Sequence, residues 1–297
     1  MKYTNKHGLP AIFERWLYDD YDYHPGIFSA TRLLKPTRMV VLEKRHEDEL
    51  ESDISDLIAA QYGTALHQSF EKIEFPNTIQ EKRFFAELDG HKVSGKPDLL
   101  EIADGIFKLG DLKSTSVWAV VFNDKEEDYI KQLSIYRWLI MNGECEEDLG
   151  DVPTLVSRDG TIYFMFTDWS RKQAKGGGNY PPLRLAVKNY KLMSTEDTEH
   201  YIRGRLGAIH HYLENPQESL PRCTRKELWQ KPWIMKEGRK TPVKKFQDED
   251  DARNFLAQMD DQHFLEWSPV QRCNYCHVTR WCEQFKEMDE LGIIAEG

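Results

Sequence analysis

Apolar residues recur at helical spacing through residues 53–71, at Ile54, Leu57, Ile58, Tyr62, Leu66 and Phe70. Gly63 interrupts that stripe at some cost in propensity, and Pro76 ends it. Residues 1–75 as a whole read as mostly helical. From Arg83 the period changes. Residues 84–88 and 91–93 flank Asp89-Gly90, a strong two-residue hairpin signal, and Ala103-Asp104-Gly105 separates 98–102 from 106–113. The pattern predicts a three-stranded meander. A helix is predicted next over about 125–141, with Asp124 as N-cap, Glu127 at the capping-box position and Asn142-Gly143 as the stop. Residues 161–166 and 183–187 predict strands on either side of Gly176-Gly177-Gly178. Ser194 with Asp197 then opens an amphipathic helix that ends before Pro216. This order predicts an α/β fold, a mixed central sheet flanked by helices.

No internal repeat, low-complexity tract or long Pro/Gly/Ser linker divides the 297 residues. The expected organisation is a helical region over 1–75, a sheet-centred core over 76–215 and a terminal region over 216–297, all one compact unit. No apolar run approaches the roughly 18 residues of a membrane span, and the N-terminus lacks a basic-then-apolar leader. A cytoplasmic location and no membrane partner are expected.

The formal net charge of -10 argues mildly against a nucleic-acid partner, but its distribution changes that picture. Residues 221–245 hold nine Lys or Arg and only two acids, Glu227 and Glu237. Such a segment can hold phosphates locally, or it can be a solvated basic loop.

Chemistry enters with the second hairpin. Its turn centres near Asp104, so Asp98 lies across from residue 110 or 111, which makes Asp98 and Asp111 cross-strand neighbours to within one residue of register. Lys113 follows two residues later, on the same face as Asp111. Two carboxylates side by side repel without a cation between them, and hard oxygen ligands suit Mg²⁺ or Mn²⁺. An Asp-x-Lys cluster on strands is also a common surface ion pair. Gln132 and Tyr136 share one face of the following helix, where they are either ordinary surface or aimed at the strand ends. His67 is either a packing residue or a ligand for a divalent cation. Glu71, one turn beyond it, and Glu81, just before the first strand, are further candidates.

Taken in order, Gly63-x-x-x-His67, Gly95-Lys-Pro-Asp98, Asp111-Leu-Lys113 and Gln132-x-x-x-Tyr136 resemble the RecB-like branch of the PD-(D/E)XK nuclease superfamily. The resemblance covers about 60–140 and, more loosely, the rest. It implies a restriction-endonuclease-like core. It also implies a metal held by His67, Asp98, Asp111 and the Leu112 carbonyl, with Lys113 as the catalytic lysine. Gln132 and Tyr136 would orient the site or contact DNA.

Cys273, Cys276 and Cys282 form a C-x2-C-x5-C cluster, and Cys223 supplies a fourth thiol about fifty residues upstream. In a chain with no export signal this spacing points to a metal site, and four thiolates suit Zn²⁺ or an iron–sulfur cluster. His277 is a possible substitute ligand for zinc. Cys145 stands apart. The cysteine pattern resembles the iron–sulfur exonucleases of the RecB family, namely the CRISPR-associated, AddB-like and bacteriophage-encoded ones, and so implies a 4Fe–4S cluster. In the CRISPR-associated and AddB members the distant cysteine precedes the core, whereas here Cys223 follows it. Trp229, Trp233 and Tyr275 lie in or near the basic segment, placed either to stack on single-stranded bases or to pack under the cluster.

The resemblance implies an exonuclease acting on single-stranded DNA or duplex ends in recombination, repair or replication, of the stand-alone phage-encoded kind. A recombination or single-strand-binding protein is an expected partner. The competing expectation is a non-catalytic DNA-binding protein that keeps the fold.

Overall fold

The computed structural model describes residues 2–17, 26–123, 125–150, 152–153 and 155–296. It divides into two compact units. One comprises Tyr3–Lys35 with Ser52–His210, and the other Met1–Lys2 with Pro36–Glu51 and His211–Gly297.

The first unit is built on a five-stranded mixed sheet. Its order is Leu185–Lys191, Val156–Phe166, Ile106–Thr115, Leu99–Ala103, Thr78–Gln80. Ile106–Thr115 and Val156–Phe166 run parallel, and the other neighbours are antiparallel. The alternation of a strand puts Phe107, Leu109, Asp111 and Lys113 on one face of the long central strand. The helix Glu126–Asn142 covers that face, burying Leu133, Ile135 and Leu139 completely. Tyr129 of this helix meets Phe164 edge-on at 5.6 Å. The result is the mixed sheet with flanking helices expected of a restriction-endonuclease-like core.

Both predicted hairpin turns form. Asp89 and Gly90 have φ of 50° and 79°, and Asp104 and Gly105 have 55° and 74°, the two consecutive positive values that a type I′ turn requires. The predicted single meander, however, is two hairpins in two sheets. Phe84–Leu88 and His91–Gly95 belong to a separate four-stranded sheet with Phe28–Ser29 and Glu144–Cys145. The break falls at Lys96-Pro97-Asp98, where proline has no N–H to continue a ladder. The helix predicted over 125–141 spans Glu126–Asn142, and no side chain caps it from Lys125. Asp124 lies outside the described residues. The strand predicted over 183–187 begins later, as Leu185–Lys191. Ahead of the helix Thr195–Glu214 the Asp197 amide donates to Ser194 Oγ, and the Ser194 hydroxyl donates to Asp197 Oδ2.

The second unit holds the helix Thr37–Arg45, a small antiparallel sheet and the cysteine-rich segment. The sheet places Pro232–Lys236 between Lys244–Lys245 and His263–Trp267. Met39, Leu42, Leu50, Val278 and Cys282 form one of its buried clusters. Among the described residues no helix is long and apolar enough to cross a membrane.

Candidate active site and cysteine cluster

The register of the central hairpin pairs Leu99 with Gly110, so Asp98 stands opposite Asp111 one step beyond the ladder. On its other side, Gln80 pairs with Leu99, which brings Glu81 opposite Asp98, and the Glu81 amide donates to the Asp98 carbonyl at 3.3 Å. Three carboxylates, Glu81, Asp98 and Asp111, therefore lie in a row across three adjacent strands. Like charges placed directly opposite one another destabilise a sheet. Such a row needs cations.

The described cations surround it. His67, on the helix Ile58–Glu71, places Nδ1 3.0 Å from Glu81 Oε1 and 3.4 Å from Asp98 Oδ1. Lys96 Nζ reaches Glu81 Oε2 at 2.8 Å, and Lys113 Nζ reaches Asp111 Oδ2 at 2.6 Å. Ligand atoms of His67, Glu81 and Asp98 all fall within 4.8 Å of one another, close enough to share one metal ion. The second carboxylate oxygen of Asp98 accepts the Leu112 amide at 2.6 Å, which fixes its aim.

Charge states follow from these contacts. Hydrogen bonds to Asp98 and Glu81 raise the His67 imidazole to about 10, so in the metal-free protein it is a cation. Burial pushes the Glu81 carboxyl up, but His67 and Lys96 outweigh it and hold it below the ordinary range. Burial drives the Asp111 carboxyl up; Lys113 opposes that shift and Asp98 adds to it. Burial also works against the Lys113 charge, yet Asp111 and Asp98 prevail and raise its pKa, so it stays an ammonium. Asp111 is 1% exposed, and its Oδ2 accepts no well-directed hydrogen bond despite the ion pair. A buried carboxylate oxygen left in that state is suited to a cation.

Gln132 and Tyr136 lie buried beneath Asp111. Gln132 Nε2 donates to the Tyr136 hydroxyl at 2.8 Å and lies 3.5 Å from Asp111 Oδ1. Burial raises the Tyr136 hydroxyl well above its ordinary value and keeps it neutral. Gly95 makes room for this layer, since a Cβ there would meet both Tyr136 and Leu139 at 2.7 Å. Glu71 is not brought to the cluster. It ends its helix exposed, with Lys82 as an electrostatic neighbour. Lys96 was missed in the sequence, although it stands inside Gly95-Lys96-Pro97-Asp98.

In the second unit, Cys223, Cys273, Cys276 and Cys282 line one small cavity together with Arg38, Met39 and Val278. All four are free thiols. Burial pushes Cys223 up to about 12 and Cys273 up to about 11, with neighbouring acidic groups and thiols adding to the shift. Cys276 is raised as well, chiefly by burial. Thiols so placed become thiolates only when a metal compensates the charge. Arg38 is buried beside them. Its Nε and Nη2 donate to the Pro221 and Leu220 carbonyls at 3.0 and 2.6 Å, and its Nη1 donates to Cys282 Sγ at 3.9 Å. His277 turns away to Glu43, at 2.9 Å. Cys145 sits apart, on the strand Glu144–Cys145 of the other unit.

A family model described as the PD-(D/E)XK nuclease superfamily matches residues 41–283. No curated protein matches the chain. Among solved structures, the crystal structure of SSO0001 is 16% identical and covers 66% of this chain and 84% of its own, with a TM-score of 0.43.

Proposed function

Because this chain belongs to the PD-(D/E)XK nuclease superfamily, we propose that it is a metal-dependent exonuclease of the RecB-like branch, acting on DNA ends and carrying a 4Fe–4S cluster. Nucleases of this superfamily use Mg²⁺ or Mn²⁺ on DNA. The observation that carries the catalytic reading is the row Glu81, Asp98, Asp111 with His67 at one end and Lys113 at the other.

His67, Glu81 and Asp98, with Asp111 beside them, would hold the ion. A divalent cation there supplies Lewis acidity to a phosphate oxygen and to the attacking water. The chain's own groups do the rest. Lys113, kept as an ammonium by Asp111, stabilises the negative charge that develops on the phosphate and holds the water in line. Gln132 and Tyr136, being buried, act by fixing Asp111, which favours the orienting role over DNA contact. Glu81 joins the ligand set that the resemblance implies, and Lys96 balances its charge.

The cysteine cavity fits a cluster. Cys282 is buried and the other three are half-buried; none is in a disulfide, and burial favours the thiol form of Cys223, Cys273 and Cys276 until a cation arrives. Four thiols lining one cavity suit a zinc ion or an iron–sulfur cluster, and the iron–sulfur reading rests on the resemblance of the cysteine pattern. The finer readings, exonuclease action, recombination or replication work, a phage setting and a single-strand-binding partner, rest on the motif resemblance.

The test incubates anaerobically purified protein with end-labelled linear and closed circular DNA, with Mn²⁺, Mg²⁺ or EDTA, beside Lys113→Ala. Metal-dependent shortening of linear DNA alone, abolished by the substitution, is the expected result. Cutting of the circle would make the protein an endonuclease. Survival of both DNAs with folded, metal-loaded protein would overturn catalysis and leave the DNA-binding reading.

A further inference from the structure

The turn that follows Cys223 begins and ends in an unusual way. Thr224 and Glu227 form a capping box: Glu227 Oε2 accepts both the amide and the hydroxyl of Thr224, and the Glu227 amide donates to Thr224 Oγ1. One helical turn later the chain stops in a Schellman pattern, with the Gln230 amide donating to the Arg225 carbonyl at 3.0 Å and the Trp229 amide to Lys226 at 3.1 Å. The left-handed residue of that motif is usually glycine. Here it is Trp229, at φ 59°. A bulky side chain in that conformation is strained, and strain of this kind persists where the side chain is needed at that spot.

What the strain achieves is placement. The Trp229 indole, 37% exposed, faces the 74% exposed ring of Tyr275, with centroids 5.7 Å apart and planes tilted by 44°. Tyr275 is carried between Cys273 and Cys276, so metal binding at those thiols would fix its backbone. The Arg272 guanidinium lies 5.4 Å from the Trp229 ring, and Arg225 lies 4.4 Å from Trp267. An arginine stacked by its face keeps edge N–H groups for phosphate, although Arg272 gives one of them to the Glu227 carbonyl at 3.4 Å. The surrounding segment is the one with nine basic residues and two acids.

We infer that Trp229 and Tyr275, with Arg272 beside them, form a stacking platform for unpaired bases of single-stranded DNA. The two tilted faces match splayed bases, whereas the bases of a duplex are already stacked inside it. Charge complementarity with the backbone comes from the basic segment. The substrate class rests on the nuclease reading above; the platform itself does not need the catalytic residues.

The test measures binding of a fluorescent single-stranded oligonucleotide, and of the matching duplex, to the full chain carrying Lys113→Ala. Tyr275→Ala is added to one sample and Tyr275→Phe to another. Because Tyr275 is so exposed, Tyr275→Ala should leave thermal stability and metal content unchanged. It should weaken single-strand binding on the order of tenfold, as loss of a base–aromatic stack does. Tyr275→Phe, which keeps the ring, should bind within twofold of its parent. Equal binding by all three chains, a Phe variant as weak as the Ala variant, or no single-strand binding by the parent would each overturn the platform. None of these results bears on metal-dependent cleavage by the unsubstituted chain, so the two readings fail separately.

Discussion

The Tyr136 ring lies so close to Gly95 that a Cβ on residue 95 would stand 2.7 Å from Tyr136 Cδ1. This contact joins the first hairpin to the helix that carries Gln132, and through Gln132 it reaches Asp111. Gly95→Ala is therefore an overpacking change beneath the active site. It should destabilise the protein by about 1–3 kcal/mol, seen in chemical unfolding. It should also lower kcat more than it raises KM, because the displaced layer aims Asp111 rather than gripping DNA. Wild-type stability in the variant would show that the helix can recede freely, and that the close packing has no role.

The Tyr136 hydroxyl offers a gentler probe of the same layer. It accepts the Gln132 side-chain amide at 2.8 Å, and without it Gln132 keeps only the long 3.5 Å approach to Asp111. Tyr136→Phe should cost about 1 kcal/mol of stability, the net worth of one buried hydrogen bond. Single-turnover cleavage should slow several-fold with DNA affinity unchanged. If affinity fell and the chemical step did not, Tyr136 would belong to the DNA-binding surface instead.

The sequence carried the central hairpin because its register is a local matter. Asp104-Gly105 forms a two-residue turn, and from it the opposition of Asp98 and Asp111 follows by counting. Glu81 was harder to place. The strand before it, Thr78–Gln80, has three residues, too few to show a period of two, and it pairs with a strand some twenty residues away. Residues 36–51 were harder still. They belong to the same unit as the cysteines more than 170 positions later, and nothing in their own pattern says so. The stripe through residues 53–71 shows the opposite limit. Spacing marked Tyr62 and Phe70 as one face of a helix, yet they are 62% and 42% exposed. Periodicity identifies a face but not what covers it.

His67 links the metal reading to pH. Its imidazole is raised to about 10 by Asp98 and Glu81 in the metal-free protein. A ligating imidazole must be neutral, so Mg²⁺ or Mn²⁺ binding at pH 7.5 should release close to one proton. Calorimetry in two buffers of different ionisation enthalpy measures this, and His67→Gln should abolish it. The sign for stability follows the same pairing. A cation whose folded pKa is raised contributes fully below its unfolded value of about 6.5 and loses that contribution as pH rises through about 10. The thermal midpoint of EDTA-treated protein should fall across that window, and less so in His67→Gln. Metal binding with no proton release would remove His67 from the ligand set.

Arg38 ties the cysteine cavity together from outside the cysteine sequence. One guanidinium holds the carbonyls of Leu220 and Pro221, just upstream of Cys223, and also reaches Cys282. Removing it leaves two carbonyls without that donor and takes a positive charge away from four thiolates. Arg38→Gln should lower the bound metal per chain and speed its loss to a chelator on the order of tenfold, the usual penalty for losing a partner of a metal ligand. Arg38→Lys, which restores the charge but not the three-way fork, should fall between the two. In a cluster-loaded protein, loss of the nearby charge makes an added electron less welcome, so the midpoint potential of Arg38→Gln should shift to more negative values. Equal metal retention and potential in all three proteins would reduce Arg38 to a structural clamp on the Leu220-Pro221 loop.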